Sequence, residues 1–291
     1  MRVAILGCGY VGIELGKKLT DAGHDVVGVR RSTAGLDDIE AAGFEAVRAD
    51  VTDPESLSAV PSVDWAVYAA SADGRGVDAA RTAYVDGLRT VVEALGTRAS
   101  PPDRLVYTSS TGVYGDHDGG WVDESTTPDP ATGRQEVLLS AEQVALDASP
   151  MDGTVVRFGG LYGPDRYRMD RYLNGPVTEG YLNSIHRDDA AGVVGHILTT
   201  DRARGEVVLG VDDDPVSKHA FADWLAAECG VDPPEKWTVE ERAAATEGTV
   251  SRRVRVNKRC ANDRLHELGY DLRFSTVYDG FRPAIDAFGS P

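Results

Sequence analysis

Hydroxyl side chains are concentrated in the segment Tyr107–Asp116, which reads YTSSTGVYGD and continues an apolar run. Neighbouring serine hydroxyls at the end of a strand can donate hydrogen bonds to a substrate oxygen. Ser109 and Ser110 could therefore line a corner of an active site that binds such an oxygen. They could equally be the hydroxyl-rich end of a buried strand, and the sequence leaves both interpretations open.

A glycine-rich turn near the start of the chain reads GCGYVG and has the spacing GxGxxG. The first glycine permits a tight turn, the second lets the backbone approach a pyrophosphate, and the third lets a helix pack closely on a strand. The amides at the start of that helix are also available to phosphate oxygens. The motif predicts that Gly7, Gly9, Tyr10, Val11 and Gly12 bind a dinucleotide. The alternative is a glycine turn that serves packing alone.

Two arginines follow the second apolar run, in VGVRRST. NAD sites usually carry an acid at this point for the ribose hydroxyl, whereas an arginine accommodates the 2′-phosphate of NADP. Because a guanidinium can hold a phosphate through two hydrogen bonds, Arg30, Arg31 and Ser32 favour NADP, with NAD still possible. A solvated arginine pair on a loop is the alternative.

The ends of the next two predicted strands complete the predicted cofactor site. RADVTD would place Asp50 and Val51 near the adenine, although an ordinary strand end followed by a cap would read the same way. At the end of DWAVYAA and immediately after it, we predict further cofactor contacts from Ala69, Ala70 and Ser71.

Strand-like and helix-like segments alternate along this part of the chain, and they would position the residues described above. The predicted strands are RVAILG, DVVGV, EAVRAD, DWAVYAA and RLVYTSS, and the clearest helical pattern between them is ARTAYVDGLRTVVEAL. Such alternation is typical of a parallel sheet with helices on both faces. We therefore predict an α/β fold with a doubly wound parallel sheet.

Composition excludes several classes of protein. The net charge of −17 argues against partners such as nucleic acids or membrane surfaces, which require basic patches. No apolar run reaches membrane-spanning length, and the glycine-broken N-terminus lacks the features of a signal peptide, so we expect a cytoplasmic protein. Cys8, Cys229 and Cys260 are far apart and outside CxxC spacing, so we predict neither a disulfide framework nor a metal site. The acidic, lysine-poor composition resembles that of proteins from salt-loving (halophilic) cells.

The order of motifs along nearly the whole chain resembles extended short-chain dehydrogenases/reductases of the NAD(P)-dependent epimerase/dehydratase type. The matching pieces are GCGYVG, ADVTD, YVDGLRTVVEAL, LVYTSSTGVYGD, WVDESTTPDP, VVRFGGLYGP, NSIHRDDAA and KRCANDRLHELGY. The resemblance implies a Rossmann domain over residues 1–156 and 183–209. It also implies a smaller α/β substrate-binding region over residues 157–182 and 210–291.

The family's catalytic tetrad is only partly present. Ser110 matches the family serine, while Arg134 and Leu138 stand at the positions of the tyrosine and lysine of YxxxK. Tyr84 stands at the position of the family asparagine. No shift of register restores the motif, because residues 115–161 contain no tyrosine and residues 19–217 contain no lysine. The chain thus resembles the atypical branch of the family that lacks YxxxK.

Several residues could replace the missing acid. Tyr114 and Tyr162 lie in loops that border the cleft in the family, where they could donate a proton or act as packing and hydrogen-bond anchors. His186 could shuttle protons because histidine titrates near neutral pH. Arg134 cannot donate a proton at ordinary pH, but it could polarise a carbonyl or bind an anionic substrate. The alternative for Arg134 is a solvent-exposed helix face.

A second group of candidates concerns the substrate. Arg157 ends the predicted sixth strand, and the segment PDRYRMDRY adds Arg166, Arg168 and Arg171. These arginines could meet a phosphate or carboxylate, although a run of alternating charges is also typical of a solvated loop. Together with Tyr162 and His186, Arg157 is our predicted substrate contact.

The sequence leaves two functions open. The resemblance implies an NAD(P)-dependent oxidoreductase or epimerase, NADP favoured, that acts on a small polar molecule such as a sugar or sugar nucleotide, with Ser110 holding the reacting oxygen. The loss of YxxxK favours instead an NADP(H)-binding sensor or regulatory protein without turnover. The sequence allows either a monomer or a homodimer.

Overall fold

The computed structural model describes residues 1–74, 76–245 and 256–288. Within these ranges, the strands are β1 (Arg2–Leu6), β2 (Asp25–Arg30), β3 (Glu45–Arg48), β4 (Trp65–Tyr68), β5 (Arg104–Ser110), β6 (Trp121–Val122), β7 (Asp152–Phe158), β8 (Gly160–Tyr162), β9 (Val177–Thr178), β10 (Ser184–His186), β11 (Val207–Gly210), β12 (Lys236–Trp237) and β13 (Arg259–Cys260).

The helices of the same ranges are α1 (Tyr10–Asp21), α2 (Thr33–Ala41), α3 (Val77–Arg81), α4 (Gly87–Gly96), α5 (Gly133–Leu146), α6 (Asp170–Leu173), α7 (Arg187–Thr199), α8 (Lys218–Cys229), α9 (Val239–Ala244), α10 (Asp263–Glu267) and α11 (Val277–Phe288). A π-helical turn, Thr82–Asp86, joins α3 to α4, and a 3₁₀ turn, Thr111–Tyr114, follows β5. No described helix is both long and apolar enough to span a membrane.

The central sheet has seven strands in the order β11-β7-β5-β4-β1-β2-β3, and every neighbouring pair is parallel. The predicted doubly wound α/β fold is therefore confirmed. The strand order reverses between β1 and β4, so the connections leave the sheet in opposite directions there. In open α/β sheets, ligands bind in the crevice that this reversal leaves at the carboxyl ends of the strands.

The strands are apolar because both faces of the sheet are covered by helices. On one face, Leu15 of α1 and Ile197 of α7 belong to a buried cluster with β1. On the other, Val91 of α4 and Ala141 of α5 pack over β4 and β5. The helix α5 is thereby fixed beside the carboxyl end of β5, where the serines of YTSSTG lie.

The segments predicted to form the smaller region hold an aromatic cluster of their own. Tyr162 stacks on Phe281 with ring centroids 5.2 Å apart, and Phe221 of α8 meets the same ring edge-on at 4.9 Å. A short parallel pair, β8 with β10, connects this cluster to the end of the main sheet. The predicted boundaries of the two regions stay a prediction, since β11 crosses one of them.

Gly153 on β7 allows α5 to approach the sheet closely. A Cβ at this position would lie 1.8 Å from the carbonyl oxygen of Ala145 and 2.7 Å from its carbonyl carbon. Because both atoms belong to the helix backbone, no side-chain rotation could relieve the clash.

We therefore expect Gly153→Ala to lower the free energy of unfolding by about 3 kcal/mol, in the range of overpacked cores. Chemical denaturation monitored by circular dichroism measures this. The matched control is Gly160→Ala on β8, whose Cβ would come no closer than 3.5 Å to the Asn183 carbonyl oxygen. Equal stability of the two variants would contradict the proposed close contact.

Candidate active site

A cleft of about 930 Å³ runs along the carboxyl ends of β1, β2, β4 and β5. It passes from the glycine turn to the serines at the end of β5. The cleft contains every residue that the sequence predicted for the cofactor: Gly7, Gly9, Tyr10, Val11, Gly12, Arg30, Arg31, Ser32, Asp50, Val51, Ala69, Ala70 and Ser71. Ser110 and Arg134 line it as well. That these side chains contact a cofactor remains a prediction.

The glycine turn has the geometry that its spacing predicts. Gly7 has φ +79°, and a Cβ there would lie 2.3 Å from the Ala70 Cα, so neither the conformation nor the space admits a side chain. Gly9 caps α1 without a side-chain acceptor, so the first amides of the helix face the cleft without intrahelical partners. This cradle of amides fits a pyrophosphate. Burial raises the pKa of the Cys8 thiol to about 12, which makes it an inert packing group in the turn.

Arginines surround the part of the cleft next to α2. Nη1 of Arg30 donates to the Cys8 carbonyl oxygen at 3.1 Å and would meet a Gly9 Cβ at 2.8 Å, so it lies against the turn. Arg31 is half exposed and pairs with Asp73 and with Asp50, the latter at 3.5 Å. The hydrogen bond to Asp73 raises the pKa of Arg31, so this guanidinium is charged at every physiological pH.

Asp50 is already engaged by its own neighbours. Burial alone would raise the pKa of this carboxyl group, but hydrogen bonds from Thr52 and the charge of Arg31 outweigh burial and hold the pKa below its usual value. The Thr52 hydroxyl donates to Asp50 at 2.7 Å. An ionised acid held in this way is less available to a ribose hydroxyl than an unpaired one.

Sequence reasoning missed Arg48, which belongs to the same group of arginines. Parallel pairing of β2 with β3 sets Arg48 directly beside Arg30. Its guanidinium donates to the Arg31 carbonyl oxygen at 2.8 Å and to the Thr33 hydroxyl at 2.9 Å. Arg48 thus fixes the loop that carries Arg31 and Ser32. The only sequence signal was its place at the end of a predicted strand.

The other end of the cleft contains Ser110 and the start of α5. The Ser110 Oγ accepts the Gly112 amide at 3.1 Å, and Nε2 of Gln135 donates to the Gly112 carbonyl oxygen at 2.7 Å. Gln135 is therefore a further site residue that sequence reasoning did not identify. It ties the serine loop to the first turn of α5, and Leu138 forms an apolar wall one turn later.

Arg134 meets Tyr84 across this end of the cleft. Its Nη2 donates to the Tyr84 hydroxyl oxygen at 2.7 Å, and its Nη1 donates to the Gly74 carbonyl oxygen at 3.2 Å. The two residues that replace the family's tyrosine and asparagine thus form a direct contact. Arg134 is partly buried in the cleft wall rather than on an exposed helix face.

A buried ion pair lies beneath the serines. Arg157 of β7 binds Glu142 of α5 through Nε and Nη2, with the shortest contact 2.6 Å, and both side chains are at most 5% exposed. Although burial lowers the pKa of Arg157, its hydrogen bonds and the charge of Glu142 outweigh burial and raise it. Ser109 donates to Glu142 at 2.6 Å, and the remaining Nη1 of Arg157 donates to the Tyr114 hydroxyl at 2.8 Å.

The structure corrects the roles that were expected of Tyr114, Arg157 and His186. Tyr114 is fully buried and its hydroxyl is bound by Arg157; burial raises the pKa of this phenol to about 12, which does not suit a proton donor to substrate. Arg157 is 4% exposed and holds Glu142, so it does not reach a substrate. Both side chains form the floor beneath the cleft because the helix α5 covers them.

His186 is also buried and engaged. It caps α7, with Nδ1 accepting the Asp188 amide at 3.2 Å, and its ring lies 4.0 Å from that of Phe274. Burial lowers the pKa of His186, against the opposing charges of Asp188 and Asp189. A neutral, 2% exposed cap does not act on a substrate, and the expectation of a substrate contact is corrected accordingly.

A second pocket of about 440 Å³ opens from the serine end of the cleft. Ser109, Ser110 and Arg166 line both cavities, which makes them continuous. Arg168, Arg171 and the predicted substrate residue Tyr162 line the second pocket. Burial raises the pKa of Tyr162, whose ring forms an apolar wall with Phe281.

Arg166 is held at the junction of the two cavities. Its guanidinium lies 4.5 Å from the centroid of the Tyr10 ring, and the Tyr10 hydroxyl donates to the Pro164 carbonyl oxygen at 3.0 Å. The arginine-rich segment therefore rests on the glycine turn itself. Among the described residues, no cluster of acids, histidines and cysteines has the arrangement of a metal site.

Comparison with known proteins gives the class of protein that this cleft defines. The family described as NAD(P)H-binding matches residues 7–201, and the chain belongs to that family. The resemblance to NAD-dependent epimerases and dehydratases of the extended short-chain type is confirmed by relatives of known structure. One of them, from Methylobacillus flagellatus and provisionally assigned as an NAD-dependent epimerase/dehydratase, is 29% identical with a TM-score of 0.78 over 99% of both chains.

Three other proteins are similar to this chain over most of its length. Protein YeeZ of Escherichia coli (strain K12) is 26% identical over 242 residues, which is 80% of this chain and 86% of YeeZ. The human epimerase family protein SDR39U1 with NADPH is 20% identical, with a TM-score of 0.78 over 98% of this chain and 99% of that one. The dTDP-glucose 4,6-dehydratase of Bacillus anthracis in complex with NAD is 16% identical, with a TM-score of 0.79 over 98% and 96%. The last two share the fold alone.

The Arg157–Glu142 pair generates a prediction about stability. Arg157→Met leaves the Glu142 charge buried without a partner, so we expect the free energy of unfolding to fall by about 3–5 kcal/mol. Urea denaturation measures the loss. The double variant Arg157→Met/Glu142→Leu removes both charges and should recover at least half of it. A double variant no more stable than the single one would contradict this reading of the pair.

Proposed function

We propose that this chain is an NADP-preferring oxidoreductase or epimerase that acts on a small anionic, sugar-like or sugar-nucleotide substrate. The observation that carries the proposal is the continuity of the two cavities. The cleft leads from the glycine turn past Ser110 and opens directly into a pocket with Arg168 and Arg171. A cofactor and a substrate lying in these cavities would meet at Ser110.

The cofactor preference rests on the group of arginines beside α2. Three arginines converge on the loop Arg30–Thr33, where a 2′-phosphate would lie: Arg30, Arg31 and Arg48. Asp50, the acid predicted to lie near the adenine, is already paired with Arg31. The fold does not decide between the two cofactors, since the human neighbour is described with NADPH and the Bacillus anthracis neighbour with NAD.

The reaction itself would use the nicotinamide end of the cleft. A bound nicotinamide cofactor supplies or accepts a hydride, and the protein must orient the substrate carbon towards it. Ser110 is well placed to bind the substrate oxygen, because its Oγ already accepts the Gly112 amide and its own proton is free to donate. Leu138 and Phe158 provide apolar walls that exclude water from this part of the cleft.

The substrate class follows from the second pocket. Its arginines suit phosphate or carboxylate oxygens, which guanidinium groups bind with two parallel hydrogen bonds. Its aromatic walls, formed by Tyr167, Tyr172 and Phe221, suit the apolar face of a sugar or base. The arginines of this pocket place positive charge locally in a chain whose net charge is −17.

A second candidate function is a cofactor-binding sensor or regulatory protein without turnover. The observation that favours it is Leu138, which stands where the family lysine would grip the nicotinamide ribose and cannot make that hydrogen bond. This candidate predicts tight NADP(H) binding together with no hydride transfer to any substrate.

The cofactor preference is tested by substitution of Arg31. We expect Arg31→Ala to raise the Kd for NADPH about 10- to 100-fold, the value of one or two hydrogen bonds to a charged group, and to change the Kd for NADH less than about threefold. Isothermal titration calorimetry measures both. Arg89→Ala, exposed on α4, is the control. Equal losses for the two cofactors, or a wild type that prefers NADH, would refute the preference.

The reaction class is tested with a panel of paired substrates. UDP-glucose, UDP-galactose and dTDP-glucose are offered with NADP⁺ beside their uncharged partners glucose and galactose. Fructose 6-phosphate and its uncharged partner fructose are offered with NADPH. Absorbance at 340 nm reports net hydride transfer, and chromatography reports epimers or dehydrated products. We expect turnover of an anionic member with kcat/KM at least tenfold above its uncharged partner. Each assay is run in dilute buffer and in molar KCl, because of the acidic, lysine-poor composition.

A panel without turnover in either buffer, combined with micromolar NADPH binding, would favour the sensor. Turnover of uncharged and anionic members at equal kcat/KM would retain the enzyme but remove the anionic substrate.

A further inference from the structure

The cleft that Ser110 lines also contains a phenol that no expectation from the sequence assigned to chemistry. Tyr84 lies in the π-helical turn Thr82–Asp86 and lines the cleft together with Thr82 and Ala83. Single π-helical turns are rare and occur frequently at functional sites, because the extra residue redirects a side chain. The Tyr68 hydroxyl donates to the Ala83 carbonyl oxygen and so anchors this turn from below.

The contact with Arg134 leaves the proton of Tyr84 available. Arg134 donates to the phenol oxygen at 2.7 Å, so the hydroxyl acts as acceptor in that bond and its own hydrogen points elsewhere. The Arg134 guanidinium also lies 5.3 Å from the ring centroid. A positive charge in this place stabilises the negative charge that develops on the phenol oxygen as a proton leaves.

The neighbouring residue joins Tyr84 to the serine loop. Arg134 and Gln135 are consecutive in the first turn of α5, and Gln135 donates to the Gly112 carbonyl oxygen beside Ser110. One turn of one helix therefore holds both Tyr84 and the Ser110 loop. This turn fixes the two hydroxyl groups relative to each other across the cleft.

The other described residues of the cleft that could exchange a proton are less suitable than Tyr84. The other side chains of the cleft that could exchange a proton are Tyr10, Asp50 and Asp73, and these lie at the glycine turn or in the Arg31 ion pairs. Burial raises the pKa of Tyr10 to about 12, and its hydroxyl is bound to the Pro164 carbonyl. Tyr84 is thus the phenol of this cleft that lies beside a cation and whose own proton is not used in a hydrogen bond to the protein.

We propose that Tyr84 is the general acid–base of the reaction and that Arg134 is its positioning residue, an inference that rests on the proposed oxidoreductase or epimerase function. The missing YxxxK pair is then replaced by a pair in which the phenol comes from the turn before α4 and the cation from α5. Both groups keep their chemical roles, but each comes from a different element.

In carbonyl reduction, the electrons and the proton come from different donors. The carbonyl carbon receives a hydride, hence two electrons, from the reduced nicotinamide, and the C=O π bond breaks towards oxygen. That oxygen forms a bond to the proton of Tyr84 while Ser110 donates a hydrogen bond to it. Tyr84 is left as a phenolate beside Arg134 and regains a proton from water. Alcohol oxidation runs the same steps in reverse.

The kinetic test uses the panel substrate with the highest kcat/KM. Tyr84→Phe should lower kcat at least about 100-fold, the usual value of a positioned acid, with KM and the NADPH Kd changed less than threefold. Arg134→Leu should lower kcat and shift the pH profile of kcat/KM, whereas Arg134→Lys, which keeps the charge, should restore part of both. Tyr181→Phe, outside both cavities, is the matched control. A Tyr84→Phe enzyme within threefold of wild-type kcat would overturn the proposal.

A chemical test separates this proposal from the proposed function. The wild type is treated with tetranitromethane, which nitrates reactive phenols, and nitrotyrosines are mapped by mass spectrometry. We expect Tyr84 to be nitrated ahead of the buried tyrosines, Arg134→Leu to slow this at least fivefold, and bound NADPH to protect it. If this nitration pattern is found in a protein that shows no turnover, the reactive pair of Tyr84 and Arg134 is retained and the proposed function is rejected. Absence of both the Arg134 dependence and the protection would reject the pair even if turnover is found.

Discussion

The ion pair between Arg157 and Glu142 ties α5 to β7 in the interior, and the geometry of the cleft wall depends on that helix. Arg157 belongs to β7 and Glu142 to α5, and neither charge can lose the other without a cost of several kcal/mol. Because the pair also binds Ser109 and Tyr114, it connects the sheet, the helix and the serine loop in one network. The first turn of α5 is rigidly linked to that pair.

The cleft has the fold of the family, but the residues that line its catalytic end differ from the family's tetrad. Ser110 keeps its place at the end of β5, while the side chains that face it are an arginine, a glutamine and a leucine from α5. In the proposed arrangement, the charge of Arg134 on α5 acts on the phenol of Tyr84, which lies in the turn before α4. In YxxxK, by contrast, the phenol and the cation lie one turn apart on the same helix. The proposal thus requires a phenol and a cation at given positions in the cleft, whichever elements supply them.

The residues that the sequence predicted for the cofactor all line one cleft, whereas several of those predicted for catalysis or substrate lie in the interior. The GxGxxG turn and the arginines after β2 are local signals, since residues adjacent in sequence line the same part of the cleft. Arg48 was missed because it meets Arg30 only through strand pairing, from a segment beyond α2. Tyr114 was placed in the correct loop, but the loop alone does not reveal that its ring turns inward beneath α5. The same holds for His186, whose capping role needs the start of α7.

The sequence by itself determined the doubly wound sheet, the glycine turn, the NAD(P)H-binding class and the absence of YxxxK, because periodicity and short spacings specify local backbone geometry. Only the tertiary structure decided which polar side chains face the cleft. Arg157, Tyr114 and Glu142 satisfy one another in the interior, since buried charges and hydroxyls require partners from distant segments. Tyr84 and Arg134 meet in the cleft for the complementary reason: the turn before α4 and the first turn of α5, from different parts of the chain, lie at the same edge of the sheet.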